Sequence, residues 1–160
     1  MNTVKFRRPL WALVTALSLG FSGLVAAEPP SRAARLGYLS GTVSFSPAGQ
    51  PDWVRATVNR PMTTGDRLWT GGAAGAELQV GGAAIRLGPS TNVVLLNLDN
   101  RITQLQLSEG VLKIRVRSLG RGQTFEIATP NLAFTLRRVG EYRIEVDPQD
   151  DATAVIVKSG

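Results

Sequence analysis

The sequence predicts an all-β fold, an antiparallel sandwich or β-roll of ten or more short strands, placed after an N-terminal signal peptide helix. Three observations predict it. Apolar and polar residues alternate with period two almost throughout from Tyr38 to Val157. Clusters of Gly, Pro, Asn and Asp interrupt that alternation at spacings of about 8–12 residues, the rhythm of short strands joined by turns. No window after the leader carries an apolar 3.6 period, so any helix there is a single turn.

The leader comes first in the chain. Lys5, Arg7 and Arg8 form a positive region, and an apolar stretch runs from Leu10 to Val25. That stretch is about 16 residues, short of the roughly 20 a membrane-spanning helix needs. Val25-Ala26-Ala27 supplies the small residues of a cleavage site, and Glu28-Pro29-Pro30 cannot continue a helix. Residues 1–27 therefore read as a Sec-type signal peptide cleaved after Ala27, which places the mature chain in the periplasm or outside the cell. The membrane is a partner only if the leader stays uncleaved. Arg7-Arg8 invites a twin-arginine reading, but Pro9 follows the pair and no strong apolar motif sits where that pathway expects one. No Cys follows the small residues, so this is not a lipoprotein signal.

Residues 28–34 read as a linker, and 35–160 as one domain. Its strands are expected at Tyr38–Phe45, with Val43 and Phe45 on one face, then at Trp53–Ala56 and Asp66–Thr70. Ala76–Val80 and Ala84–Leu87 flank Gly81-Gly82, a two-residue hairpin turn. Further strands are expected at Asn92–Leu98, Ile102–Leu107, Val111–Arg117, Thr124–Ala128, Leu132–Leu136, Tyr142–Val146 and Ala154–Val157. Asp99-Asn100, Glu109-Gly110, Gly120-Arg121-Gly122 and Pro148–Asp151 separate them.

Composition removes whole chemistries. There is no Cys and no His, so no cysteine nucleophile, no Ser-His-Asp triad and no histidine metal site. The formal charge is +6, but three of the 18 cations lie in the leader. The domain is thus only mildly basic, and with export this argues against a nucleic-acid partner. No cofactor is expected.

Lys113-Ile114-Arg115-Val116-Arg117 puts three cations on one face of a strand. They read either as a stripe for an anionic ligand or, more plainly, as a solvated face whose charges discourage edge pairing. Arg121, Arg137 and Arg138 are candidates to extend the stripe. Gly71–Gly75 precedes a strand rather than a helix and lacks a Lys-Ser/Thr pair, so it is a turn and not a phosphate loop. Asp66, Glu77, Asp99, Glu109 and Glu126 are the carboxylates a hydrolase would use, but no spacing pairs any two of them. No catalytic residue and no metal ligand is assigned. Trp53, Trp69, Tyr38, Phe125 and Phe134 are read as core, with one of Leu68 and Trp69 reaching the surface. Val155, Ile156 and Val157 form an apolar run near the chain end. With Lys158 alone to guard it, the run reads as an edge for a partner strand or for self-association.

Read in order, several of these stretches resemble the FecR-like domain of Gram-negative bacteria. Gly41-Thr42-Val43 opens the series and Trp53 follows after a turn. Met62-Thr63-Thr64-Gly65-Asp66-Arg67-Leu68-Trp69-Thr70 is similar to the family's L-x-x-G-D-x-L-x-T, and Gly75–Val80 looks like its next strand. Ile85-Arg86-Leu87-Gly88-Pro89-Ser90-Thr91 resembles v-x-L-x-p-x-T. Leu107-Ser108-Glu109-Gly110-Val111-Leu112 is similar to L-x-x-G-x-l, and Phe125–Asn131 to f-x-v-x-T-P-x. Gly140-Glu141-Tyr142-Arg143-Ile144 stands where the family has G-T-x-F. The resemblance spans about Arg35 to Gly160.

The resemblance implies a non-enzymatic envelope module that senses, signals or scaffolds by protein–protein contact. The alternative is a binder of envelope glycan or another anionic polymer through the Lys113–Arg117 face. FecR-type regulators resemble anti-sigma proteins with a cytoplasmic region and a membrane helix ahead of this domain. Here only the short leader precedes it, so the resemblance does not carry direct sigma-factor control. It also implies further strands beyond Gly160, so the chain reads as truncated at its C-terminus.

Overall fold

The computed structural model describes residues 33–160. The expected signal peptide and most of the expected 28–34 linker lie outside them. The described chain is all-β, 61% strand with no helix, and its 13 strands form one curled sheet. In order they are β1 (Ala34–Ser40), β2 (Val43–Ser46), β3 (Val54–Arg55), β4 (Pro61–Met62), β5 (Arg67–Thr70), β6 (Gly75–Val80) and β7 (Ala83–Leu87). There follow β8 (Thr91–Leu98), β9 (Ile102–Val116), β10 (Thr124–Ala128), β11 (Ala133–Leu136), β12 (Gly140–Asp147) and β13 (Ala152–Ser159).

Strand β9 organises the molecule. Its first part, from Ile102, pairs with β8 and β10, and its last part, to Val116, pairs with β7 and β12. One half of the sheet is β3-β2-β5-β8-β9-β10-β11, the other β4-β1-β6-β7-β9-β12-β13, and they share only β9. Buried side chains of both halves, among them Phe45, Leu68, Leu95 and Leu105 from the first and Leu36, Leu78, Ile85 and Ile114 from the second, form one core. The fold is therefore a β-roll.

The sequence reading put a chain reversal at Glu109-Gly110. The structure corrects this: both residues lie inside the continuous 15-residue β9. Chain length shows that β9 must nonetheless bend along its course. A straight strand of that length would span roughly 45 Å. The loop 117–123 reaches at most about 27 Å, yet Thr124 lies beside Ile102, back at the start of β9. The end of β9 takes the place of the crossover element that parallel pairing requires. The β9–β10 pair is accordingly parallel, in a sheet otherwise antiparallel.

Other boundaries moved. The expected Tyr38–Phe45 strand is two strands, broken at Gly41, where φ is +71°. Strand β1 begins at Ala34, a buried residue inside the expected 28–34 linker. Asn59-Arg60-Pro61 reads as a break in the alternation, yet Pro61 pairs with β1 and forms β4 with Met62. The hairpin at Gly81-Gly82 is as expected: Val80 pairs with Ala83, and Gly81 takes φ +54°, the left-handed conformation this turn demands.

Candidate functional site

Three of the stretches quoted above, Met62–Thr70, Ile85–Thr91 and Leu107–Leu112, meet in one place, and what they build there is a latch. Gly65 has φ +89°, and a Cβ on it would come within 2.7 Å of the Cβ of Ala48. The chain turns there because glycine alone fits. The next residue, Asp66, is buried, and its carboxylate accepts the backbone N–H of Ala48 at 2.9 Å and of Thr63 at 2.8 Å. Four residues on, Thr70 is fully buried; its hydroxyl donates to the Gly88 carbonyl at 2.6 Å and accepts the Thr91 N–H at 2.9 Å. The Thr91 hydroxyl in turn donates to the Pro89 carbonyl and accepts the Val111 N–H, both at 3.0 Å. This relay runs from β5 through β8 to the bend of β9. Gly110 makes the bend with φ +91°, so close to β8 that a Cβ would lie 2.5 Å from the Ser90 carbonyl and 2.6 Å from Thr91 Cα. No buried side-chain polar atom among the described residues lacks a partner. The latch positions strands, and its buried polar side chains are spent on hydrogen bonds within the fold.

Four of the five candidate carboxylates are engaged in hydrogen bonds within the fold. Asp66 serves the latch. Glu77 accepts from Arg86 at 2.7 Å, Glu126 from the Gln104 amide at 2.7 Å, and Asp99 from the N–H groups of Arg101 and Ile102 at 2.6 and 2.7 Å. Glu109 lies in the middle of β9, near its bend. No group of three metal-binding side chains occurs among the described residues, and no helix there is long and apolar enough to cross a membrane.

Lys113, Arg115 and Arg117 do share one exposed face, while Leu112, Ile114 and Val116 point into the core. That face does not lie at an edge. In this region β9 is central, paired with β7 on one side and β12 on the other. Edge protection therefore does not explain the cations. Register brings further cations beside them: Arg86 lies directly across from Lys113 on one side, and Arg143 on the other. With Lys158 these residues line an open cleft of about 290 Å³, whose lining also includes Ala84, Ile114, Glu141 and Tyr142. Arg121, Arg137 and Arg138 are not part of it. Three carboxylates offset the cleft: Glu77 on Arg86 at 2.7 Å, Glu145 on Arg143 at 2.7 Å, and Glu141 on Arg115 at 3.5 Å. The Arg86 hydrogen bond is the main cause that holds the Glu77 carboxyl below its ordinary pKa, and Glu77 in turn raises that of Arg86. Lys113, Arg117 and Lys158 have no salt bridge among the described residues. Sequence alternation was enough to place Lys113, Arg115 and Arg117 on one face; their neighbours needed the strand register.

Val155, Ile156 and Val157 lie on β13, which among the described residues pairs with β12 alone. Val155 packs on the core and Ile156 points outward. Alternation aims Val157 inward beside Val155, yet it is 52% exposed. The inner face at this end of the roll is uncovered among the described residues. Three other strands also have a single partner, but β3 and β4 are two residues each and β11 is four, against eight for β13.

Two aromatic assignments need correction. Tyr38 is exposed because β1 shifts register between Leu36 and Tyr38, which turns its ring outward. Trp53 precedes the short edge strand β3 and is also exposed, its ring under the Arg67 guanidinium at 5.1 Å. Phe125 is core and Phe134 packs against it; Leu68 is buried while Trp69 is half-buried.

A family model described as FecR protein matches residues 66–160, more than half of the chain. No curated protein and no solved structure matches it. The matched span starts at the latch carboxylate Asp66 and takes in Thr70, Thr91, Gly110, the basic cleft and β13. The chain belongs to the FecR family, which takes part in envelope signalling and is not known for catalysis.

Proposed function

We propose that this chain is an exported, non-enzymatic FecR-family module that works by protein–protein contact, β13 receiving a strand from another envelope protein. The observation that carries the reading is Val157, an inward-facing residue left half exposed on an eight-residue strand with one edge free among the described residues. An added strand would satisfy the free backbone groups of β13 and cover Val157 at the same time. Export rests on the leader: intact mass of the mature protein is expected to begin at Glu28, and a full-length species held in the membrane would contradict it. The contact is tested by affinity isolation from the envelope fraction after in-cell cross-linking. The wild-type chain should retain a discrete envelope protein that Ile156→Lys loses while staying folded, its stability changed by no more than about 1 kcal/mol. Retention of the same protein by both chains would refute contact through β13.

A further inference from the structure

We propose that the cleft on the outer face of β7, β9 and β12 is a binding site for a soluble multivalent phosphate, such as a phosphorylated sugar or a short phosphodiester segment. This goes beyond strand addition at β13 and stands independently of it. The argument begins with the rung Arg86–Lys113–Arg143. Three cations lie directly opposite one another on adjacent strands, with about 4.8 Å between strands. Like charges in that relation destabilise a sheet. Glu77 and Glu145 neutralise the two outer cations, but Lys113 between them has no salt bridge among the described residues. Two residues further along β9 is Arg115, and two beyond that Arg117, with Lys158 completing the lining from β13. Ala84 lies directly across from Arg115; its short side chain leaves room for a ligand there.

The cleft volume of about 290 Å³ suits a ligand of roughly monosaccharide to disaccharide size. The charge pattern selects its chemistry. A phosphate monoester carries up to two charges and three strong acceptor oxygens, so one group can bridge several cations of a rung. A single carboxylate has one charge and two oxygens. Arg86, Arg115 and Arg143 offer planar forks already oriented by Glu77, Glu141 and Glu145, and Lys113 and Arg117 offer charge not yet neutralised by a salt bridge. Concavity and the ring of cations suit a discrete soluble anion better than a flat bilayer.

The test uses the processed chain and inorganic tripolyphosphate as probe, with binding measured by calorimetry at low ionic strength. Wild type is expected to bind, and Lys113→Gln with Arg117→Gln to lower affinity at least about tenfold. Arg55→Gln with Arg121→Gln removes the same charge outside the cleft and should leave affinity unchanged. A second readout separates ligand binding from folding. Without the probe, Lys113→Gln should raise the thermal midpoint, since it removes like-charge repulsion. With the probe present, the wild type should overtake it. The proposal is overturned if tripolyphosphate does not bind, if the two double variants lose affinity equally, or if Lys113→Gln lowers the midpoint without the probe. Tighter binding to phosphatidylglycerol vesicles than to tripolyphosphate would overturn the assignment to a soluble ligand.

Discussion

Single residues hold this fold through geometry that no other side chain satisfies. Gly110 is the clearest case, because its left-handed φ coincides with the closest approach of β9 to β8. Gly110→Ala should cost at least about 3 kcal/mol in urea unfolding, from backbone strain plus displacement of Ser90 and Thr91. Gly49 has a similar φ of +71° but open space around it. Gly49→Ala should therefore cost only about 1 kcal/mol, and equal losses at the two sites would show that β9 has no tight bend. Asp66→Ala should cost about 2–4 kcal/mol, because it strips the acceptor from two backbone N–H groups. The Glu77–Arg86 pair acts through pH. Arg86 lowers the folded-state pKa of Glu77 below its ordinary value of 4.5. The stability this supplies is full above that ordinary value and disappears as pH falls through the lowered one. Glu77→Gln should flatten that part of the acid limb in urea titrations at a series of pH values; an unchanged limb would mean that the pair contributes nothing to acid stability.

At the scale of strands, local chemistry was legible in the sequence and long-range pairing was not. The β6–β7 hairpin could be read because Gly81-Gly82 sits between two alternating runs. Gly110 could not be placed by the same logic. A glycine that reverses the chain and one that lets a strand pass close to its neighbour look alike until the neighbour is known. The parallel β9–β10 pair was hidden for the same reason, since it follows from the β9 bend. The two-residue strand β4 is too short to show any period. For the candidate site, period two was enough to put Lys113, Arg115 and Arg117 on one face. Arg86, Arg143 and Lys158 joined them only through register, a property of pairs of strands and not of one. Tyr38 was misplaced because a bulge reverses the inward–outward phase, and alternation carries no trace of that reversal. The β13 run was legible because it is apolar and guarded by one lysine. Ile156→Lys adds a second charge to its outward face, where Ile156 is exposed and opposite Arg143. It should therefore change stability by no more than about 1 kcal/mol while removing any association through that edge. A larger loss would show that Ile156 packs in the core.

For the whole molecule, the roll closes on itself around β9 but leaves the β13 edge free among the described residues. An edge of eight residues with an exposed apolar run is a template for a second copy as well as for a partner. The 28–160 protein is therefore expected to self-associate in sedimentation runs across a concentration series, and the Ile156→Lys chain to remain monomeric. A wild-type monomer at high concentration would mean that the edge is blocked. The central claim is that β13 receives a strand through its backbone, and backbone amide hydrogen exchange measures that directly. In the dilute processed chain, the amides of β13 that β12 does not accept should exchange freely, alternating with protected ones. When the chain is concentrated, or the co-isolated envelope protein is added, those alternate amides should become slow while β6 and β7 stay as they were. Uniform protection of β13 in the dilute chain, or no change on addition, would contradict it.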